Sequence, residues 1–288
     1  MGSTAWSVHA GPAGMVIAMP EQLADRLSVA SLNTRGVPIL SSRLAGRYAA
    51  IGAEFEAGRA DVVCLQEVGT YGHLWLLARR MPSFRHVSYR PSAAGPAGGV
   101  VTFSRLPVSG TAYRRFGIPP RLPGISQRRR FLAGLRGALV TRLTDPGLSV
   151  VNTHLISSRE GDWSRTSRFY PLHRVQLAAL SRIVRGVRGP AVVCGDFNVA
   201  RESPLFSEFI EGTELADAFE GRCPPTYRAE YLPAAAVAHC IDFILTTAAV
   251  KAEAAGLLLV GQVALPGGPG FASDHVGLHA HLLVAPPS

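Results

Sequence analysis

The sequence predicts a mixed α/β sandwich, and three observations support this fold class. Short β-rich segments recur along the whole chain, and helix-like stretches lie between several of them. Some neighbouring segments are spaced like the two strands of a hairpin. Strands and helices therefore alternate only loosely, which fits mixed sheets better than a doubly wound parallel sheet.

Eight segments rich in β-branched and apolar residues are predicted to be strands. They cover residues 27–32, 60–65, 99–103, 138–143, 149–152, 191–194, 241–245 and 276–283. Loops rich in Gly and Pro at 90–99, 117–124 and 265–270 interrupt this series, because these residues favour turns.

Three stretches with helical character lie between the predicted strands. The first covers 42–56 and begins at a pair of serines, and the second covers 72–80. The third covers 172–187, where Leu177, Leu180 and Val184 repeat at the spacing of one helix face. Trp75, in the second stretch, is expected to pack against the core rather than to offer a stacking platform.

The composition indicates a folded chain that forms one domain. Of 288 residues, 47% are hydrophobic and 17% are charged, which excludes a largely disordered chain. No apolar stretch approaches the ~20 residues of a membrane-spanning helix. We expect residues 22–286 to form a single domain that follows a disordered tail at 1–21.

The four cysteines indicate reduced thiols rather than a metal site. Cys64 and Cys194 lie inside apolar runs, and the spacing of the four cysteines matches no zinc pattern. Buried thiols of this kind are typical of a reducing compartment, so we expect a cytoplasmic protein.

The positive charge of the chain comes almost wholly from arginine. There are 29 basic residues against 20 acidic ones, a net charge of +9, and Lys251 is the only lysine. Arginines such as Arg128, Arg129 and Arg130 can attract a polyanion or an anionic membrane. The charge alone does not distinguish nucleic acid, phospholipid and small phosphate.

Residues with carboxylate, carboxamide or imidazole side chains border six of the predicted strands. At the strand ends these side chains would cluster at one edge of the sheets. These are Asn33, Gln66-Glu67, Asn152-Thr153-His154, Asp196-Phe197-Asn198, Asp242 and Asp274-His275. Carboxylate and amide oxygens suit Mg²⁺ better than a transition metal. His154 and His275 are available for proton transfer or for binding anionic oxygens. A divalent ion near a histidine and a carboxylate is what attack of water on a phosphate ester requires.

These motifs follow one another in the order of a known superfamily. The set that runs from Asn33 to His275 spans about 240 residues and resembles the endonuclease/exonuclease/phosphatase superfamily. That group includes deoxyribonuclease-I-like enzymes, neutral sphingomyelinases and inositol-polyphosphate phosphatases. The resemblance implies a four-layer α/β sandwich, with two mixed β-sheets packed face to face and helices outside. It also implies a Mg²⁺-assisted site at one edge, with Mn²⁺ as the alternative ion.

The resemblance implies a role for each residue of the set. Glu67 would be the main metal ligand and Asn33 its neighbour, and Asp274 would complete a second metal position.

Five further residues are implied in catalysis. Asp196 would orient or deprotonate the attacking water, and Asn198 would hold a phosphate oxygen. His275, oriented by Asp242, would act as a base or as a stabiliser of the transition state. His154 would contact the scissile phosphate or assist the leaving group. Which histidine is the acid and which is the base is left open.

Two features indicate the branch of the superfamily. The run 152–155 resembles the deoxyribonuclease-I-like and sphingomyelinase-like branches, whereas the Trp-Cys-Asp-Arg-type run of inositol 5-phosphatases is absent around Asp242. The segment 161–174 also looks like the sphingomyelinase-like and related bacterial branches. Its Trp163, Arg165 and Arg168 are candidate substrate contacts, Arg for an anionic group and Trp for a base or headgroup face. The alternative for Trp163 is that it anchors a long loop.

These observations predict a Mg²⁺-dependent hydrolase of phosphoric esters, foremost a phosphodiesterase that acts on a lipid headgroup or a small organic phosphate. The first alternative is a DNA or RNA endonuclease, which the isoelectric point of about 10.0 favours. The second is a non-catalytic binding protein on the same fold. Nothing in the sequence implies an obligate protein partner.

Overall fold

The computed structural model describes residues 25–36, 43–158 and 160–285, and the tail expected at 1–21 lies outside this part of the chain. The strands described are β1 (Asp25–Asn33), β2 (Val62–Gln66), β3 (His86–Ser88), β4 (Val101–Ser104), β5 (Val108–Arg115), β6 (Gly137–Leu143), β7 (Ser149–His154), β8 (Ala191–Asp196), β9 (Ala216–Asp217), β10 (Asp242–Thr246), β11 (Val250–Leu258) and β12 (Gly277–Val284). The α-helices described are α1 (Leu44–Ala57), α2 (Tyr71–Ala78), α3 (Gln127–Leu135), α4 (Tyr170–Arg185) and α5 (Pro204–Thr213). None of these helices is long and apolar enough to span a bilayer.

The strands form two mixed sheets of six strands each. The order in the first sheet is β11-β12-β1-β2-β4-β3, and the order in the second is β5-β6-β7-β8-β10-β9. Each sheet contains one parallel pair, β1 with β2 and β7 with β8, among antiparallel neighbours. The prediction of mixed rather than doubly wound sheets is therefore confirmed.

The layers follow from the alternation of side chains along the strands. Val29, Val62 and Cys64 belong to the core shared with the second sheet. Their neighbours Ala30 and Val63 face the other way, into the core under α1 and α2. Helices α4 and α5 pack into the buried cluster of the second sheet, so the predicted four-layer sandwich with helices outside is confirmed.

Polar side chains join the two sheets beneath the edge where β1 and β2 end. Gln66 Nε2 donates to Asn152 Oδ1 at 2.9 Å. Asn152 Nδ2 donates to the carbonyls of Leu65 at 3.1 Å and Val101 at 2.9 Å. Because buried polar groups are costly unless they are paired, these bonds fix how the sheets are aligned.

All eight predicted strands and all three predicted helices are present, with shifted ends, but α3, α5 and several short or edge strands were not predicted. Helix α3 begins three residues after the predicted loop 117–124, where Ser126 Oγ accepts a hydrogen bond from Arg129 N at 3.3 Å. The expectation that Trp75 packs in the core is wrong, because 55% of this residue is exposed on α2.

Protonation of His173 on α4 is expected to destabilise the fold in acid. This buried ring donates from Nε2 to the carbonyl of Ile156 at 2.8 Å, whereas Nδ1 has no hydrogen-bond partner among the described residues. Burial therefore lowers the pKa of His173 from 6.5 to about 4. The neutral His173 ring stabilises the folded state fully above pH 6.5. As the pH falls towards 4, the free energy of unfolding decreases by about 3 kcal/mol. Denaturant unfolding across this pH range should show this decrease in the free energy of unfolding for the wild-type protein but not for His173→Gln.

A substitution at Gly195 is expected to break the pairing of β7 with β8. A Cβ atom there would lie 1.9 Å from the carbonyl oxygen of Thr153, and φ is +144°. Gly195→Ala should therefore lower the free energy of unfolding by more than about 3 kcal/mol. The control Gly212→Ala lies on α5 with nothing within 4 Å of the added atom, and it should be neutral or stabilising. Equal effects of the two substitutions would contradict this account.

Candidate active site

The carboxyl ends of β1, β2, β7 and β8 meet the start of β10 at one edge of the sandwich. Parallel pairing sets Asn33 opposite Gln66 and His154 opposite Asp196. Antiparallel pairing sets Asp242 opposite Asp196. The predicted clustering of polar strand ends is therefore present.

Asp196 lies buried at the centre of this cluster. Its Oδ2 accepts a hydrogen bond from Asn33 Nδ2 at 2.9 Å and lies 3.3 Å from His154 Nε2 and 3.8 Å from His275 Nε2. Burial opposes the charged form, but the hydrogen bond from His154 and the charge of His275 outweigh it and lower the pKa of Asp196 to about 2. The carboxylate is therefore ionised at neutral pH.

His275 is held by a second buried carboxylate. Its Nδ1 donates to Asp242 Oδ2 at 2.8 Å. Burial opposes the imidazolium, but the carboxylates of Asp242 and Asp196 raise the pKa of His275 to about 10. Burial raises the pKa of Asp242 in turn. The ring of Tyr227 meets the imidazole edge-on, with the ring centroids 5.0 Å apart, and so limits how far the imidazole can turn.

His154 is held from its other side by Arg136, a residue that was not among the predicted site residues. Arg136 Nη1 lies 2.7 Å from His154 Nδ1 and also donates to the carbonyl of Gly98 at 3.2 Å. A guanidinium can only donate, so Nδ1 accepts and the proton of the neutral ring lies on Nε2, which faces Asp196. Desolvation lowers the pKa of Arg136, whereas the charges of Glu67 and Asp196 act in the opposite sense. Arg136 directly precedes β6, the strand paired with β7, and this was the only signal in the sequence.

The predicted metal ligand Glu67 directly follows β2. Its φ of 59°, like the φ of 50° at Asn198, is uncommon for a residue other than glycine, and such angles collect at functional sites. The carboxylate is half-buried, and no residue among 25–36, 43–158 and 160–285 forms a hydrogen bond or ion pair with it. A carboxylate in this position can accept a cation without first giving up a protein partner.

The other two predicted metal ligands lie around Arg35. Asn33 Oδ1 accepts a hydrogen bond from Arg35 N at 3.0 Å, and Asp274 Oδ2 lies 3.5 Å from Arg35 Nε. The predicted set of Glu67, Asn33 and Asp274 offers oxygen donors only, which suit Mg²⁺ or Mn²⁺ better than a soft metal.

A second group of potential metal ligands consists of Asp196, Asp242 and His275. Their ligand atoms lie within 4.8 Å of one another. These atoms already bond one another or their neighbours, because Asp242 holds His275 and Asp196 accepts from Asn33. A metal here would have to replace those bonds, whereas Glu67 has no hydrogen bond or ion pair with any of the described residues. We therefore favour the set that contains Glu67.

Asn198 lies close to Asp196 and connects it to the loop that carries Trp163. The backbone N of Asn198 donates to Asp196 Oδ1 at 2.8 Å, and its Nδ2 donates to the carbonyl of Leu155 at 3.1 Å. Trp163 Nε1 donates to the carbonyl of Asn198 at 2.8 Å, and its ring meets His239 edge-on. This half-buried indole therefore anchors its loop beside the site.

The other two candidate substrate contacts are paired with acidic side chains. Arg165 lies 2.6 Å from Glu208 on α5, and Arg168 forms an ion pair with Glu160. Both arginines are exposed, and no contact joins either of them to the cluster around Asp196 among the described residues.

We expect Arg136 to act through His154 rather than independently. Arg136→Gln should lower kcat by about 10- to 100-fold, because the imidazole loses the donor that fixes its tautomer. In a His154→Gln background, Arg136→Gln should lower kcat only a little further. A double-mutant cycle measures this difference. Arg142→Gln, at an exposed position of β6, is the matched control. Additive losses would show that Arg136 acts on the substrate by itself.

A sequence profile matches residues 30–275, a range that contains the whole cluster around Asp196. The fold and the site are those of the class of protein that this profile describes. The chain belongs to the Endonuclease/Exonuclease/phosphatase family, as its motifs predicted.

Curated relatives match part of the chain. The "Putative neutral sphingomyelinase" of Drosophila melanogaster is 24% identical over 198 residues, which is 67% of this chain and 43% of that protein. "Protein angel homolog 2" of Mus musculus is 30% identical over 179 residues, which is 58% of this chain and 31% of that protein. The matched regions thus cover less than half of either relative.

Solved structures share the fold. SmcL superposes with a TM-score of 0.67 at 17% identity, over 89% of this chain and 98% of that one. TDP2 of D. rerio, complexed with a single-strand DNA product, gives a TM-score of 0.67 at 18% identity over the same shares of the two chains. The beta toxin of Staphylococcus aureus gives 0.65 at 16% identity, over 88% of this chain and 99% of that one.

Proposed function

We propose that this protein is a Mg²⁺-dependent phosphodiesterase that cleaves a lipid headgroup or a small organic phosphate ester. The observation that carries the proposal is the buried, ionised Asp196, which faces the imidazoles of His154 and His275. At the same edge of the sandwich, the carboxylate of Glu67 has no hydrogen bond or ion pair with any of the described residues. The likeness to a protein named as a neutral sphingomyelinase supports the lipid substrate.

Glu67, Asn33 and Asp274 would hold the ion, since their oxygens are the donors that a hard cation prefers. When bound, Mg²⁺ neutralises phosphate oxygens and so lowers the barrier to attack by water. Mn²⁺ would serve the same donor set.

The side chains around the ion would orient water and donate to the phosphate. Asp196, kept ionised by its neighbours, accepts a hydrogen bond from the attacking water and positions it. His154 Nε2, fixed as a donor by Arg136, contacts a phosphate oxygen. His275, oriented by Asp242, donates where negative charge develops, and Asn198 holds a further oxygen.

A substrate panel tests the proposal. We expect Mg²⁺-dependent release of phosphocholine from sphingomyelin micelles and hydrolysis of bis(4-nitrophenyl) phosphate, both abolished by EDTA and by His275→Ala. Nicking of supercoiled plasmid without hydrolysis of the lipid would favour the nuclease alternative. Failure of a folded, Mg²⁺-binding protein on all three substrates would favour the non-catalytic alternative.

A cytoplasmic location is part of the proposal. All four cysteines are free thiols, which a reducing compartment preserves.

A further inference from the structure

The positive charge of the protein is concentrated in one segment. Residues 68–144 contain thirteen arginines and neither Asp nor Glu. The rest of the chain contains sixteen basic and twenty acidic residues, so its formal charge is negative. The net charge of +9 therefore comes from this one segment and not from arginines spread evenly along the chain.

The fold gathers much of this segment on one side of the sandwich. β3 and β5 are the edge strands of their two sheets, and Ser88 Oγ on β3 lies 2.9 Å from Thr111 Oγ1 on β5. Tyr113 on β5 donates from its hydroxyl to the carbonyl of Leu135 at 2.8 Å, which fixes the end of α3 against the same edge. We call the exposed surface of residues 68–144 the arginine face.

The arginine face also exposes apolar side chains. Eight large hydrophobic residues are exposed in the described part of the chain, and six of them belong to this face. The six are Tyr71, Trp75, Ile118, Phe131, Leu132 and Leu135. Four of these lie on α3 or the loop before it, where Ile118 is 63% and Phe131 54% exposed. Contiguous exposed apolar side chains on a surface mark an interaction site.

The arginine face adjoins the candidate active site at both ends. Arg136, which bonds His154, directly follows helix α3, and Arg129 within the helix bonds the carbonyl of Ser157 in the loop after β7. Helix α2, which carries Trp75, begins four residues after Glu67. A surface that the arginine face contacts would therefore lie next to the site.

We propose that the arginine face docks on an anionic membrane surface, with the apolar side chains of α3 entering the interface and the arginines binding headgroup phosphates. Interfacial helices combine arginine with Phe, Leu and Trp in this way. Nucleic-acid interfaces are polar, and Ile118, Leu132 and Leu135 have no ring on which a base can stack. The docking deepens the proposed function, since it would bring a lipid phosphoester to the site, and it can be measured without turnover.

Sedimentation of the full chain with vesicles tests the docking. Vesicles of phosphatidylcholine with phosphatidylglycerol should bind the protein, and pure phosphatidylcholine vesicles should bind it at least about ten-fold more weakly. Phe131→Ser/Leu132→Ser should weaken binding to the anionic vesicles by about ten-fold or more, because it removes buried apolar area. The control Val237→Ser/Val260→Ser removes two exposed apolar side chains outside the face and should bind as wild type.

A second pair of variants separates charge from apolar contact. Arg114→Glu/Arg115→Glu on β5 should lose binding to anionic vesicles, whereas Arg182→Glu/Arg188→Glu, exposed outside the face, should lose much less. All four variants should hydrolyse bis(4-nitrophenyl) phosphate as wild type does, so a failure of docking is distinct from a failure of the proposed activity.

Three outcomes would overturn the proposal. One is the absence of binding to anionic vesicles by the wild-type protein. In another, the Arg114→Glu/Arg115→Glu variant loses binding to duplex DNA but still binds vesicles. That result would assign the face to nucleic acid. In the last, the wild-type protein forms a concentration-dependent dimer in size-exclusion chromatography, and Phe131→Ser/Leu132→Ser is a monomer. That result would assign the face to a second copy of the chain.

Discussion

Asp196→Asn is expected to lower kcat by about 10³- to 10⁴-fold, because the charged group that positions the attacking water is lost. The amide keeps the shape of the carboxylate but removes the charge that the imidazoles of His154 and His275 face. A neutral amide is also a weaker hydrogen-bond acceptor than a carboxylate, so it holds the attacking water less firmly. Steady-state hydrolysis of bis(4-nitrophenyl) phosphate at saturating Mg²⁺ measures the loss.

The matched control for this prediction is Asp145→Asn, an exposed residue in the turn after β6, which should keep wild-type activity. Thermal unfolding of both variants checks that the loss is not due to unfolding. An Asp196→Asn variant that kept more than about a tenth of the activity would exclude Asp196 as the group that positions the attacking water.

The strand ends could be predicted because two simple rules act on them. Apolar runs identify the buried strands, and polar residues that border a run lie at the edge of the sheet. The family order then assigned Glu67, Asp196 and His275 to one site, and the structure brings the strand ends together.

Arg136 and Trp75 could not be predicted because their surroundings come from distant parts of the chain. The contact of Arg136 with His154 depends on the antiparallel pairing of β6 with β7. Trp75 lies in a helix whose sequence is apolar on most sides, so periodicity did not show which side faces the core. In the structure Leu74 and Leu77 fill that side, and Trp75 stacks with Arg79 on the surface.

Helix α3 was missed because its sequence lacks the apolar stripe that predicts a buried helix. Arg128, Arg129 and Arg130 follow its first residue, and only Ala133 and Gly134 are buried. Because α3 has no apolar stripe, its periodicity does not predict a helix. Its Phe131 and Leu132 are exposed, and they are the side chains that the proposed docking uses. A segment that violates the usual pattern is therefore a candidate for function rather than an error of folding.

Glu67→Gln is expected to abolish the response to Mg²⁺. Loss of residues that only support metal ligands costs 10- to 100-fold in metal affinity, so loss of the main ligand should weaken Mg²⁺ binding by about 10³-fold. Wild type should gain thermal stability as Mg²⁺ is added, because the ion binds the folded state, and the Gln variant should not. Activity at a fixed Mg²⁺ concentration should fall with the affinity.

The comparison of Glu67→Gln with Asp242→Asn decides between the two possible metal sites. If the ion binds the set around Glu67, Asp242→Asn should keep the Mg²⁺-induced rise in thermal stability and lose activity only, because it releases His275. If the ion binds among Asp196, Asp242 and His275, the pattern is reversed and Glu67→Gln should still respond to Mg²⁺. Glu208→Gln, a half-buried carboxylate paired with Arg165, is the control that should respond as wild type does. Because the carboxylate of Glu67 has no hydrogen bond or ion pair with any of the described residues, whereas Asp242 and His275 already bond each other, we expect the first pattern.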